Sequence, residues 1–146
     1  MQVEELLTKA EFREAFPVMQ ELRAHLDLHT FMDLVSEALA EGYQLFALRD
    51  EHDEIVALAG VVVSTNLAYG RHLYVRDLVT ASYARSQGYG ERLLAYLEDH
   101  ARSEECDSVW LDSGFQRTEA HRFYEQKVGY SKTGYTFRKV IQEDRG

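Results

Sequence analysis

The stretch LYVRDLVTASYARSQGYGERLLAYL, from Leu73 to Leu97, decides how the rest of the chain is read. It begins as an apolar run, passes through a polar turn holding Arg85, Gly88 and Gly90, and continues from Glu91 with apolar residues at helical spacing. The order is strand, glycine turn, helix. Such a junction aims several backbone N–H groups at one point, with the positive end of the helix dipole behind them. A phosphate or pyrophosphate suits that place. Two common phosphate loops are excluded. A Walker loop needs a Gly-Lys pair, and none occurs; a dinucleotide fingerprint needs a third glycine where Leu93 stands. What remains is R-x-x-G-x-G, from Arg85 to Gly90.

Working outward, the apolar residues Leu93, Leu94, Leu97 and Ala101 form one helical stripe after the turn. VWLDS, Val109 to Ser113, reads as a short strand. Thr118 opens a helix whose buried face is Ala120, Phe123, Tyr124 and Lys127 or Val128, and Gly129 ends it. The tail from Tyr130 to Ile141, with Gly134 as its turn, has the pattern of a final hairpin. Before the turn, Tyr43–Asp50 and Glu54–Ser64 are apolar, β-leaning runs separated by a polar EHD, the form of an antiparallel hairpin in which Gly60 marks a bulge. Ser64 to Arg71 is a polar connection into the third long strand. A helix runs from Thr30 to a stop at Gly42. Gln2–Leu7 forms an opening strand, and Thr8 with Glu11 forms a capping box. Pro17 then kinks or splits the first helix. These elements give an α/β or α+β domain with a mixed sheet.

At 146 residues the chain fits one domain, 1–146, with room for a real core. Its 45% hydrophobic and 28% charged composition is that of a globular protein, and no apolar run reaches membrane-spanning length. The start MQVEELLTKAEF is acidic where a signal peptide is basic, so the expected location is cytoplasmic and no membrane partner is expected. A lone cysteine, Cys106, cannot form an internal disulfide. The net charge of −9 repels nucleic acid and favours cationic small molecules or basic peptides.

The Arg85–Gly90 pattern resembles motif A of the GNAT superfamily of acetyl-CoA-dependent N-acyltransferases, Q/R-x-x-G-x-G/A. AHRFYEQKVGY, Ala120 to Tyr130, resembles the downstream signature in which A-x-x-F-Y on a helix precedes a glycine and an aromatic residue. The order of elements is similar along nearly the whole chain. RDLVTASYARSQGYG and LDSGFQRTEAHRFY together look like a bacterial branch of the superfamily. The resemblance implies a mixed, mostly antiparallel sheet splayed at the motif-A strand and flanked by about four helices. It also implies acetyl-CoA as cosubstrate and a small-molecule or peptide amine as acceptor. Dimers are frequent in the superfamily, so a homodimer is one assembly it allows.

The resemblance assigns roles as well. Leu78, Val79 and Thr80 match the residues that pair with the pantetheine arm. Arg85, Ser86, Gln87, Gly88, Tyr89, Gly90 and Glu91 match the wrap around the pyrophosphate. Acyl transfer from a thioester needs a polarised carbonyl, a neutral amine and a stabilised leaving sulfur. A backbone N–H near Val79 or Thr80 supplies the first. Tyr124 matches the family's tyrosine that protonates the sulfur; an ordinary phenol pKa near 10 keeps it protonated at neutral pH. Relatives carry a Glu-Asp pair where this chain has Arg76-Asp77, so the glutamate is missing. Asp77 stays a candidate for binding the amine or relaying its proton through water, with Asp112 and His121 as rivals. Competing readings are a turn that binds nothing, a core role for Tyr124, an ion pair for Asp77, and a CoA-binding regulatory module without catalysis. No metal site is expected: His25 and His29 have ligand spacing, but no cysteine or carboxylate cluster completes a set.

Overall fold

The computed structural model describes residues 2–113 and 117–142. Strands β1 (Gln2–Leu6), β2 (Gln44–Arg49), β3 (Ile55–Asn66), β4 (Gly70–Thr80) and β5 (Ser108–Leu111) form one sheet in chain order. The first four pair antiparallel with their neighbours, and β5 runs parallel to β4. Consecutive residues Ile55 to Val62 of β3 are all buried, so both faces of the sheet are covered there. That is why the strand reads as a continuous apolar run instead of an alternating one.

Helices α1 (Lys9–Leu22) and α3 (Tyr89–Ser103) both pack on β3 and β4, and α1 also meets α2 (Leu28–Ala40). The buried stripe of α1 is Phe12, Ala15, Val18 and Met19; that of α3 is Leu93, Leu94, Leu97 and Ala101, as the spacing predicts. The capping box forms: the Thr8 hydroxyl accepts from the Glu11 N–H at 3.2 Å, and Glu11 accepts from the N–H groups of Leu7 and Thr8. Those two backbone donors hold the Glu11 carboxyl below its ordinary pKa. Arg49 on β2 then ties α1 to the sheet by gripping Glu14 with two nitrogens and Glu4 of β1 with a third.

Three expectations are corrected in this part of the chain. Pro17 does not split α1, which is one helix from Lys9 to Leu22. One lost N–H is outweighed by the cap at one end and the buried stripe along its length. The second helix begins at Leu28, two residues before Thr30, because Asp27 caps it by accepting from the Thr30 N–H at 2.7 Å. Gly42 closes that helix at φ +97°, with Tyr43 N–H donating to the Ala38 carbonyl. The polar connection Ser64–Arg71 is mostly strand. Ser64 pairs with His72 and Thr65 with Arg71, leaving a turn of Leu67, Ala68 and Tyr69. The Asn66 side chain folds it by accepting from the N–H groups of Ala68 and Tyr69.

The chain divides into two compact units, 1–111 and 112–146. The second contains α4 (Thr118–Arg122), continued by one π-helical turn, Phe123–Lys127, in which Val128 N–H reaches back five residues to the Phe123 carbonyl. Gly129 follows at φ +78°. The expected hairpin of Tyr130–Ile141 is corrected: residues 130–142 contain no strand. Tyr135, Phe137 and Ile141 stay exposed, so the alternation that reads as a strand has no buried face to satisfy. Among the described residues, no helix is long and apolar enough to cross a membrane.

Candidate active site

The two edges of strand β4 behave differently. Toward β3 it pairs along its whole length, from Gly70 opposite Asn66 to Thr80 opposite Ala57. Toward β5 it pairs only from His72 to Val75. Among the described strand pairings, Leu78, Val79 and Thr80 therefore join β3 alone. Among the described residues, this is in keeping with the splay at the motif-A strand that the resemblance implies.

The opening coincides with a β-bulge. Gly60 sits opposite Asp77 and Val61 opposite Val75, so Arg76 is the extra residue. Gly60 faces the bulge without containing it, which refines the sequence expectation. The Asp77 carboxylate is held from two sides. Arg23, the residue that ends α1, brings Nε to 3.0 Å and Nη2 to 2.9 Å of Oδ1, and the Tyr43 hydroxyl donates to Oδ2 at 2.7 Å. Burial, and then the neighbouring Asp77 charge, push the Tyr43 phenol well above its ordinary pKa, so it remains a neutral donor. The ion pair expected for Asp77 exists, but its partner is Arg23 and not the adjacent Arg76, which is exposed. Arg23 and Tyr43 were not legible as site residues, since each lies far from Asp77 in sequence. The one visible signal was Gly60, a glycine interrupting a buried apolar strand, where a large side chain crosses close to the backbone.

After β4 the chain makes a short 3₁₀ turn, Ser82–Ala84. Glu21 of α1 fastens it by accepting from the Ser82 N–H at 2.8 Å and lying 3.8 Å from Arg85 Nη2. Ser86 at φ +66° and Gly88 at φ +80° then turn the backbone into α3. Gly88 is the N-cap and offers no side chain, so capping leaves the first-turn N–H groups of Tyr89 and Gly90 outside the helical bonding. Arg92 N–H makes the bond back to the Gly88 carbonyl. A Cβ placed on Gly88 would meet none of the described residues within 4 Å, so the space beside this glycine is open among them. Gln87 and Tyr89 are joined there by a 3.1 Å hydrogen bond between their side chains. Left-handed backbone, leftover N–H groups, a helix dipole and open space together fit a pyrophosphate.

In the other unit, Tyr124 is the second residue of the π-helical turn and is 9% exposed. Burial raises its phenol above the ordinary value, with Arg117 acting the other way, so it is a protonated acid at neutral pH. Its ring lies 5.6 Å from that of Phe123 and 6.3 Å from that of Tyr130. His121 lies in α4 and Asp112 follows β5. Burial also raises the Cys106 thiol, which disfavours a nucleophilic thiolate there. Among the described residues, no group of three or more His, Cys, Asp or Glu is gathered to hold a metal ion.

Residues 4–130 match the acetyltransferase (GNAT) family. An uncharacterized N-acetyltransferase of Bacillus subtilis is 41% identical over 140 residues, covering 95% of this chain and 98% of its own. An aminoalkylphosphonate N-acetyltransferase of Salmonella typhimurium is 26% identical over 121 residues, covering 82% and 78%. Among solved structures, one described as a transcriptional regulator from Bacillus halodurans superposes with a TM-score of 0.81 at 22% identity, over 96% of this chain and 99% of that one. At that identity the last likeness shows the fold, and the fold is the splayed mixed sheet with flanking helices found here. On the strength of the family match and the near full-length relative, this chain belongs to the acetyltransferase (GNAT) family and is an N-acetyltransferase.

Proposed function

We propose that the protein transfers the acetyl group of acetyl-CoA to a primary amine of a small molecule or peptide, by direct attack while both are bound. The observation that carries this reading is β4, whose last three residues lack a β5 partner among the described strands and are followed, after the Ser82–Ala84 turn, by the Gly88 turn. Leu78, Val79 and Thr80 hold the pantetheine arm, and Arg85 through Glu91 wrap the pyrophosphate. A backbone N–H near Val79 or Thr80 polarises the thioester carbonyl. The amine nitrogen attacks that carbon, the C–S bond breaks, and the sulfur takes the Tyr124 proton. The proton lost by the amine leaves through water beside Asp77. Arg23 Nε and the Tyr43 hydroxyl each use one acceptor position of that carboxylate, one on either oxygen, which leaves room on it for the water.

The same corner bears on the acceptor. The S. typhimurium relative is named for an amine that also carries a phosphonate. Arg76, exposed on the bulge next to Asp77, supports an acceptor of that kind, with an anion beside its amine. We assign the domain to 1–146 and the compartment to the cytoplasm, in keeping with a lone Cys106.

Thiol release from acetyl-CoA, followed over a panel of polyamines, basic peptides, amino sugars and aminoalkylphosphonates, tests the reading. Amine-dependent release with an acetylated product is expected. CoA binding with no turnover on any amine would instead favour a regulatory module that kept the fold.

A further inference from the structure

Gly60 interrupts the buried run of β3, and the space its side chain would take is filled by Tyr43. A Cβ there would overlap the Tyr43 hydroxyl and ring. Tyr43 is 7% exposed, and Gly60 is the strand partner of Asp77. The phenol therefore passes over the one position of β3 that has no side chain and reaches across to Asp77 on the next strand. Arg23 meets the same carboxylate from the end of α1, and its Nη2 also donates to the Arg76 carbonyl at 2.8 Å. Arg76 is the bulge residue, whose backbone groups fall out of the regular ladder, and Arg23 satisfies its carbonyl. These contacts converge on two adjacent residues of β4, the bulge residue Arg76 and Asp77, immediately before Leu78–Thr80.

We propose that Arg23 and Tyr43 are positioning residues for the strand that receives the acetyl donor: acting through Asp77 and the Arg76 carbonyl, they lock the bulge and fix the direction of Leu78–Thr80. The inference rests on the reading of that segment as the donor site. A bulge re-aims the strand beyond it, and a misplacement of about 1 Å in a binding strand weakens every contact it makes. Each clamp comes from a different place, one from the end of α1 and one from the junction of α2 with β2, so neither substitutes for the other.

The test uses the full chain with Tyr43→Phe, which keeps the ring over Gly60 and removes the hydroxyl. Arg23→Lys is its counterpart: it keeps the charge but loses the planar fork that serves Asp77 and Arg76 together. CoA affinity is measured by calorimetry, and KM for acetyl-CoA by steady-state kinetics, well below the melting transition. A merely structural role lowers the folded fraction, and so the binding stoichiometry and apparent kcat, while leaving Kd and KM unchanged. The positioning role raises both Kd for CoA and KM for acetyl-CoA by roughly three- to tenfold in each variant. Because both residues act on Asp77, the double variant loses less than the product of the two single losses. Parental Kd and KM in both variants overturn the proposal. If the parent itself binds no CoA, the reading of the donor site falls first, so the two failures are distinct.

Discussion

Gly60 shows how one missing carbon organises the site. Because the Tyr43 ring occupies the place of a side chain there, Gly60→Ala must displace a buried tyrosine, and we expect a loss of at least about 3 kcal/mol. Urea unfolding measures it, and a loss under about 1 kcal/mol would contradict the packing of Tyr43 over position 60. In a Tyr43→Ala background the ring is gone, so the same substitution should cost less than half as much. The Tyr43 phenol also gives a pH dependence. Its folded pKa lies above its unfolded value of about 10, so its contribution is whole below that pH and is lost as pH rises through the folded value. The stability advantage of the parent over Tyr43→Phe should stay constant from neutral pH to about pH 10 and shrink only above it. At this scale the sequence was only partly legible. Asp77 was visible as a candidate, but its adjacent Arg76 suggested a pairing that the fold gives to Arg23, 54 positions away. No periodicity or spacing reports a contact of that kind.

Among the elements, the junction of β4 with α3 was the most legible, because turn chemistry and helical spacing are local. Gly88 illustrates what such a position demands. Nothing among the described residues crowds it, so Gly88→Val acts through the strained φ of +80° and through the bulk it puts beside the incoming pyrophosphate. CoA affinity should fall by about tenfold or more, read by calorimetry; unchanged affinity would remove the turn from the site. Tyr124→Phe should cut turnover by about a hundredfold while leaving CoA affinity within about twofold. Equal turnover would end the acid role. Because burial raises the Tyr124 phenol, its loss as an acid should produce no falling limb in kcat below about pH 10. Elements defined by competition between local and tertiary forces were less legible. Pro17 marks a break that the capped, half-buried α1 overrides, and Asn66 turns an apparent loop into two longer strands. YTFRKVI alternates as a strand does, yet strand formation needs a partner that alternation cannot specify.

For the whole molecule, the order of elements through β5 and the placement of the core in β2, β3 and β4 followed from the apolar runs, and they place the chain among acetyltransferases. The acceptor did not follow, because it is set by side chains that loops bring together. Hydrogen–deuterium exchange of the full chain with and without CoA tests the account most directly. Slowed exchange confined to Leu78–Thr80 and Arg85–Glu91 is the predicted result. Unchanged exchange in both segments, at a CoA concentration that calorimetry shows to be saturating, would contradict it.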